Sequence, residues 1–102
     1  MIILNTTFHI DESVHLQAVD FLKSEYIPKA LESGLMQFPR LTKIFTDGKE
    51  EGHSYSVQFS VADIEKLEQW NSQTGSALNA ALIERFFDKI VGFSTLLQEI
   101  EL

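Results

Sequence analysis

Residues 2–10 read IILNTTFHI, a run rich in β-branched and aromatic side chains that alternates with period two. Ile2, Leu4, Phe8 and Ile10 fall on one face and Ile3, Asn5, Thr7 and His9 on the other, which is the pattern of a strand with one polar face. Asp11 follows as an N-cap and Glu12 stands in the first turn, where negative charge favours a helix. Val14, Ala18, Phe21 and Leu22 then recur at helical spacing. A strand that runs straight into a helix sets the order for the rest of the chain. Pro28 interrupts the helical pattern near Tyr26-Ile27-Pro28, so a kink or restart is expected before Gly34 ends the segment.

Downstream, Phe38 to Asp47 reads as a second strand, in which Pro39 is compatible only with a strand start or an edge. Asp47 to Gly52 is the strongest turn signal in the chain, and HSYSVQFSV after it alternates again, which makes a hairpin. Its apolar set is Tyr55, Val57, Phe59 and Val61, and its polar set is Ser54, Ser56, Gln58 and Ser60. Ser60 with Asp63 has the form of a capping box, followed by Ile64, Leu67 and Trp70 at helical spacing. The run Asn71 to Ser76 breaks this helix, and Leu78, Ala81, Leu82 and Phe86 continue it as a separate or bent piece. Ile90 to Ile100 is a last strand containing Gly92.

The expected elements are strands near 2–10, 38–47, 52–60 and 89–99, with helices near 12–33 and 61–87. The order βαββαβ predicts an α+β, ferredoxin-like domain spanning 1–102, with a four-stranded antiparallel sheet and both helices on one face. Phe93 and Leu97 then lie on one parity of the last strand and Leu96 on the other, so the open sheet face carries apolar residues. That predicts a homodimer built through this face.

Composition excludes several function classes. The 102 residues hold no cysteine, so disulfides, thiolate nucleophiles and zinc ribbons are out. Eight scattered basic residues against fifteen acidic ones, net charge −7, argue against nucleic acid as a partner. No apolar run approaches the roughly 20 residues of a membrane span, and no signal peptide is visible, so no membrane partner and a cytoplasmic location are expected. There is no Gly-rich phosphate loop and no Gly-x-Ser-x-Gly, and the sequence calls for no cofactor.

The titratable candidates are few. His9 shares the polar strand face with Asn5 and Thr7, whereas His15 and His53, near a helix start and a turn, read as solvated. The three histidines match no metal motif, so no metal site is expected. Gln58, with Ser54 and Ser56, supplies donors and acceptors on a second strand, and Tyr26 and Trp70 line a cavity or complete the core. The ligand-binding set read from the residues is therefore Asn5, His9, Gln58, Tyr26 and Trp70. Lys49, Glu50 and Glu51 read as a solvated turn, and Glu65, Glu68 and Glu84 as a solvated helix face.

The opening MIILNTTFHIDESVH, the helix restart YIP, the strand YSVQF and the ending ERFFDKIVGFSTLLQEIE together resemble a family of short bacterial proteins of unknown function. The likeness implies a ferredoxin-like unit related to the dimeric α/β barrels, in which two sheets pack through their open faces. Where that family's pattern has histidines, this chain has Tyr26 before Ile27-Pro28 and Thr74 in the second helical region. Cofactor-independent monooxygenases, haem-degrading enzymes, isomerases and ligand-sensing domains share the barrel, so the shape decides no activity. Two readings follow: a small apolar or amphipathic molecule held in a non-catalytic regulatory or binding dimer, or a cofactor-independent monooxygenase or isomerase. In the second, His9 would accept a proton while Gln58 or Asn5 polarised a carbonyl.

Overall fold

In the computed structural model, which describes residues 1–49 and 51–102, four strands form one sheet in the order β2-β3-β1-β4. They are β1 (Ile2–Ile10), β2 (Gln37–Lys43), β3 (His53–Val61) and β4 (Ile90–Gln98), and every neighbouring pair is antiparallel. The register follows from the alternation in sequence. Leu4 pairs with Phe59 and Ile2 with Val61 on the covered face, while Asn5 pairs with Gln58 and His9 with Ser54 on the other.

Two helical arms cover the first of these faces. After a 3-10 turn (Glu12–Val14), α1 (His15–Phe21) runs through a π turn (Leu22–Tyr26) into α2 (Ile27–Leu31). The Asp11 carboxylate accepts from the Ser13 N–H at 2.9 Å and also from its hydroxyl, and these bonds hold its pKa below the usual value. The second arm is α3 (Ile64–Trp70), a π turn (Asn71–Gly75) and α4 (Ser76–Phe86), capped by Asp63, whose side chain accepts from the Lys66 N–H. Ser60 belongs to β3, and Asp63 alone caps the helix.

The expected interruptions are both π turns within continuous arms. In a regular α-helix the Pro28 ring would strike the Ser24 carbonyl four residues earlier and leave it without a donor. Widening the turn, with the Ile27 N–H donating to Leu22 O, relieves that conflict. In the second arm the Ser76 N–H and hydroxyl both reach Asn71 O, so the polar run stays helical.

β2 is shorter than the 38–47 reading. Its ladder with β3 ends at Lys43, and it carries a register shift between Gln37 and Arg40. Pro39 offers no N–H there and Phe38 takes a φ of 53°, which an edge strand tolerates. Of the turn residues expected to be solvated, Lys49 and Glu51 are exposed, and Glu50 lies outside the described residues.

The core sits between arms and sheet, with Ile10, Leu22, Met36, Val57, Phe59 and Val61 fully enclosed. Phe21 meets Phe86 edge-on at 5.8 Å across the two arms, and Arg85 lies over Phe21 while pairing with Glu25 at 2.9 Å. The hairpin closes on Gly52, where φ is 82° and an added Cβ would stand 2.6 Å from the Ile10 carbonyl oxygen and 2.9 Å from His9 Nε2. Gly48 has a similar φ of 79° with open space around it. Gly48→Ala should therefore cost only the left-handed backbone, roughly 1 kcal/mol, and Gly52→Ala at least about 1 kcal/mol more, measured by urea unfolding.

Candidate functional site

The middle of the covered face of β4 is built from small residues, between Ile90 and Leu96. Gly92 stands opposite Phe8 and Ser94 opposite Thr6, so this quarter of the sheet offers no bulk to the helices above it. A Cβ at Gly92 would lie 2.8 Å from the Phe8 ring, so the ring rests directly on the glycine. The facing arm is equally spare: Ser72, Gly75, Ser76 and Asn79 point toward the gap. Missing volume on both sides leaves a cleft of about 770 Å³ between the β1/β4 half of the sheet and the second arm.

Its inner wall is aromatic. Phe8 and Tyr26 meet edge-on at 5.7 Å, and Trp70 packs beside them with its indole N–H donating to the Ala30 carbonyl at 2.9 Å. Gly75 is needed here, because a Cβ would come within 2.6 Å of the Trp70 ring and 2.7 Å of the Asn71 side-chain oxygen. Exposed Phe93 and Leu96 form part of the rim. Polar groups come from Thr6 and Ser94, whose hydroxyls are 3.0 Å apart, and from Asn71, Ser76, Asn79 and Glu68.

The Tyr26 hydroxyl makes no hydrogen bond with the described residues, and burial of the side chain pushes its pKa up to about 12. At neutral pH it is a neutral phenol on a residue that lines the cleft. Tyr26 and Glu68 are the titratable groups among the described lining residues, and no histidine lines the cleft.

The five residues singled out from sequence do not converge. Tyr26 and Trp70 are in the cleft, while Asn5, His9 and Gln58 lie together on the opposite, open face of the sheet. There they satisfy one another and their neighbours. The Gln58 amide donates to Asn5 Oδ1 at 3.2 Å, the Ser56 hydroxyl donates to the same oxygen, the Asn5 amide donates to Thr7 Oγ1 at 3.3 Å, and His9 Nδ1 sits 3.0 Å from Ser54 Oγ. Sequence reading missed Thr6, Ser94 and Asn79. The signal was present as the alternating small residues Gly92 and Ser94, and as the run 71–76 that stays helical and borders the cleft.

His15 and His53, read from the sequence as solvated, instead pack against each other. Their rings stack at 3.6 Å with planes 9° apart, and both are half-buried. His15 Nε2 lies 2.8 Å from the Tyr55 hydroxyl, and His53 Nε2 contacts the Glu12 carboxylate. Desolvation, and then the neighbouring His53, holds the His15 pKa below its ordinary value.

The four-stranded antiparallel sheet with both helical arms on one face defines a ferredoxin-like α+β domain. The chain belongs to the DUF4286 family, a domain of unknown function, whose family model matches residues 1–100. Similar solved structures include an ethyl tert-butyl ether d (EthD) family protein from Bacillus halodurans, with a TM-score of 0.70, 12% identity and coverage of 98% of this chain and 100% of that one. An antibiotic biosynthesis monooxygenase gives 0.68, 17%, 99% and 100%. A dimeric ferredoxin-like protein from an uncultured marine organism gives 0.67, 11%, 100% and 97%. At these identities the likeness establishes the fold. No curated protein matches the chain significantly in sequence.

The buried phenol has a measurable signature. Its raised pKa means the folded state holds the proton more tightly than the unfolded chain, so this contribution to stability is complete below pH 10 and is lost as pH rises toward 12. Relative to Tyr26→Phe, the protein should lose roughly 2–3 kcal/mol across that window, read from urea unfolding at a series of pH values.

Proposed function

We propose that the protein is a homodimeric ligand-binding module, each protomer of which holds one small, mainly apolar molecule in the cleft beneath its second helical arm. The observation that carries this reading is the 770 Å³ cleft with an aromatic wall and an unpartnered, neutral Tyr26 hydroxyl aimed into it. Phe8, Trp70 and Leu4 supply apolar contact, and Tyr26 donates one hydrogen bond to an oxygen on the ligand, with Asn79, Ser94 and Thr6 completing its polar side. The ligand class that fits is an aromatic molecule with a carbonyl or phenol oxygen.

Catalysis of the monooxygenase or isomerase kind is the second reading. It draws on the neighbour described as an antibiotic biosynthesis monooxygenase and on Glu68 at the cleft. It stands second because His9, the base it would use, is on the far side of the sheet and hydrogen-bonded to Ser54. The expected cytoplasmic location is kept in this reading; among the described residues no helix is long and apolar enough to cross a membrane.

The open face of the sheet supports the homodimer. Val91 is 59%, Phe93 66% and Leu97 41% exposed there, beside Ile3 and the polar network centred on Asn5. A second copy placed face to face covers this surface from both sides at once. Light scattering should give about twice the 11.6 kDa chain mass, and Val91→Glu with Leu97→Glu should reduce it to the chain mass.

Ligand binding is tested through Trp70, the single tryptophan, which lines the cleft. Titration with a panel of one- to three-ring aromatic phenols, quinones and ketones should quench its emission saturably for at least one compound. Tyr26→Phe should weaken that compound by about fivefold, near 1 kcal/mol, and Ser94→Phe should abolish binding by filling the cleft. Equal affinity in both variants, or no saturable quenching across the panel, refutes the cleft as the site.

A further inference from the structure

Apart from the cleft, and sharing no residue with it, one end of the sheet gathers a set of metal-ligating side chains. Glu12 comes from the 3-10 turn after β1, His15 opens α1 and His53 opens β3. One ligand atom from each lies within 4.8 Å of the other two. We propose that Glu12, His15 and His53 bind a divalent transition-metal cation of the zinc class through two imidazole nitrogens and one carboxylate oxygen, with water completing the coordination.

Three observations converge on this assignment. The first is the stack of the two imidazoles at 3.6 Å and 9°. Parallel rings aim their nitrogen lone pairs side by side, so a shared ion turns the rings out of the stack, and the stack keeps one nitrogen of each within 4.8 Å of the other and of a Glu12 oxygen. The second is the contact between His53 Nε2 and the Glu12 carboxylate, which already brings a nitrogen donor and an oxygen donor together. The Glu12 side chain, 75% exposed, is free to draw back and admit an ion between them. The third is the Tyr55 hydroxyl, 2.8 Å from His15 Nε2, a hydrogen-bond partner that restrains the ring through one of its two nitrogens and leaves the other for a cation.

The donor set selects the cation. Two imidazoles with one carboxylate suit Zn²⁺, Co²⁺ or Ni²⁺, whereas Mg²⁺ and Ca²⁺ require oxygen-rich sites. Lys43 faces Tyr55 across the β2–β3 pair and acts against a cation near His15, and the Glu12 charge offsets it. The linear sequence conceals the site because Glu12 and His53 are 41 residues apart.

The test uses the untagged full chain, titrated with Zn²⁺ by calorimetry and with Co²⁺ by visible absorption, with Mg²⁺ as control. The expected result is one Zn²⁺ per chain at micromolar concentration, a Co²⁺ absorption band of four- or five-coordinate intensity, and no response to Mg²⁺. His53→Gln and Glu12→Gln should each weaken Zn²⁺ binding at least about tenfold. His9→Gln, on the opposite sheet face with Ser54, should leave it unchanged. NMR of the unaltered protein needs no variant: Zn²⁺ should shift the ring signals of His15 and His53 and spare those of His9. Failure to bind Zn²⁺ one-to-one at micromolar concentration overturns the proposal. So does binding that survives both substitutions, or a Zn²⁺ response centred on His9.

Discussion

The hydrogen bond from the Trp70 indole N–H to the Ala30 carbonyl ties the two helical arms together at the point where the rest of the packing is decided. Ala30 lies near the end of α2, where carbonyls have lost their intrahelical partners, and Trp70 is the last residue of α3. Both partners are buried, so leaving either unpaired would cost its full desolvation. The bond therefore fixes how far the second arm can slide over the sheet. With Trp70 held there and tilted against Phe59 at 6.3 Å, the end of α3 is seated on β3.

The π turns belong to the same arrangement. Each adds a residue to a turn beside this junction, one ending at Tyr26 and the other starting at Asn71, and both contribute to the cleft wall. Pro28 accounts for the first through sterics, and the second is secured by the double reach of Ser76 to Asn71 O and by the absence of a side chain at Gly75. Tyr26 is thus placed by a backbone irregularity, and its hydroxyl faces space instead of a protein partner.

The sheet divides the molecule's chemistry into two compartments. On the covered face, bulk at Phe8 and Trp70 alternates with gaps at Gly92, Ser94 and Gly75, which makes a concave apolar site. On the open face, Asn5, Gln58, Ser56 and Thr7 satisfy one another beside exposed apolar residues of β4, which suits association more than ligand capture. One-residue alternation along β1 is enough to send Thr6 to the first compartment and Asn5 to the second.

The strands and their inward faces were legible in the sequence because alternation in 2–10 and 53–61 is unambiguous and one face must be apolar. The caps at Asp11 and Asp63 and the edge position of Pro39 were legible for equally local reasons. The polar run at 71–76 was not, since its residues disfavour an isolated helix and only packing of Trp70 and Leu78 on either side keeps it wound. Nor was the cleft, which is missing volume shared between β4 and α4, or the stack of His15 on His53, which depends on where α1 begins relative to β3. Local periodicity determined which residues face inward; tertiary packing decided which of those faces meet, because distance between side chains is set by the docking of whole elements and leaves no mark in the spacing along the chain.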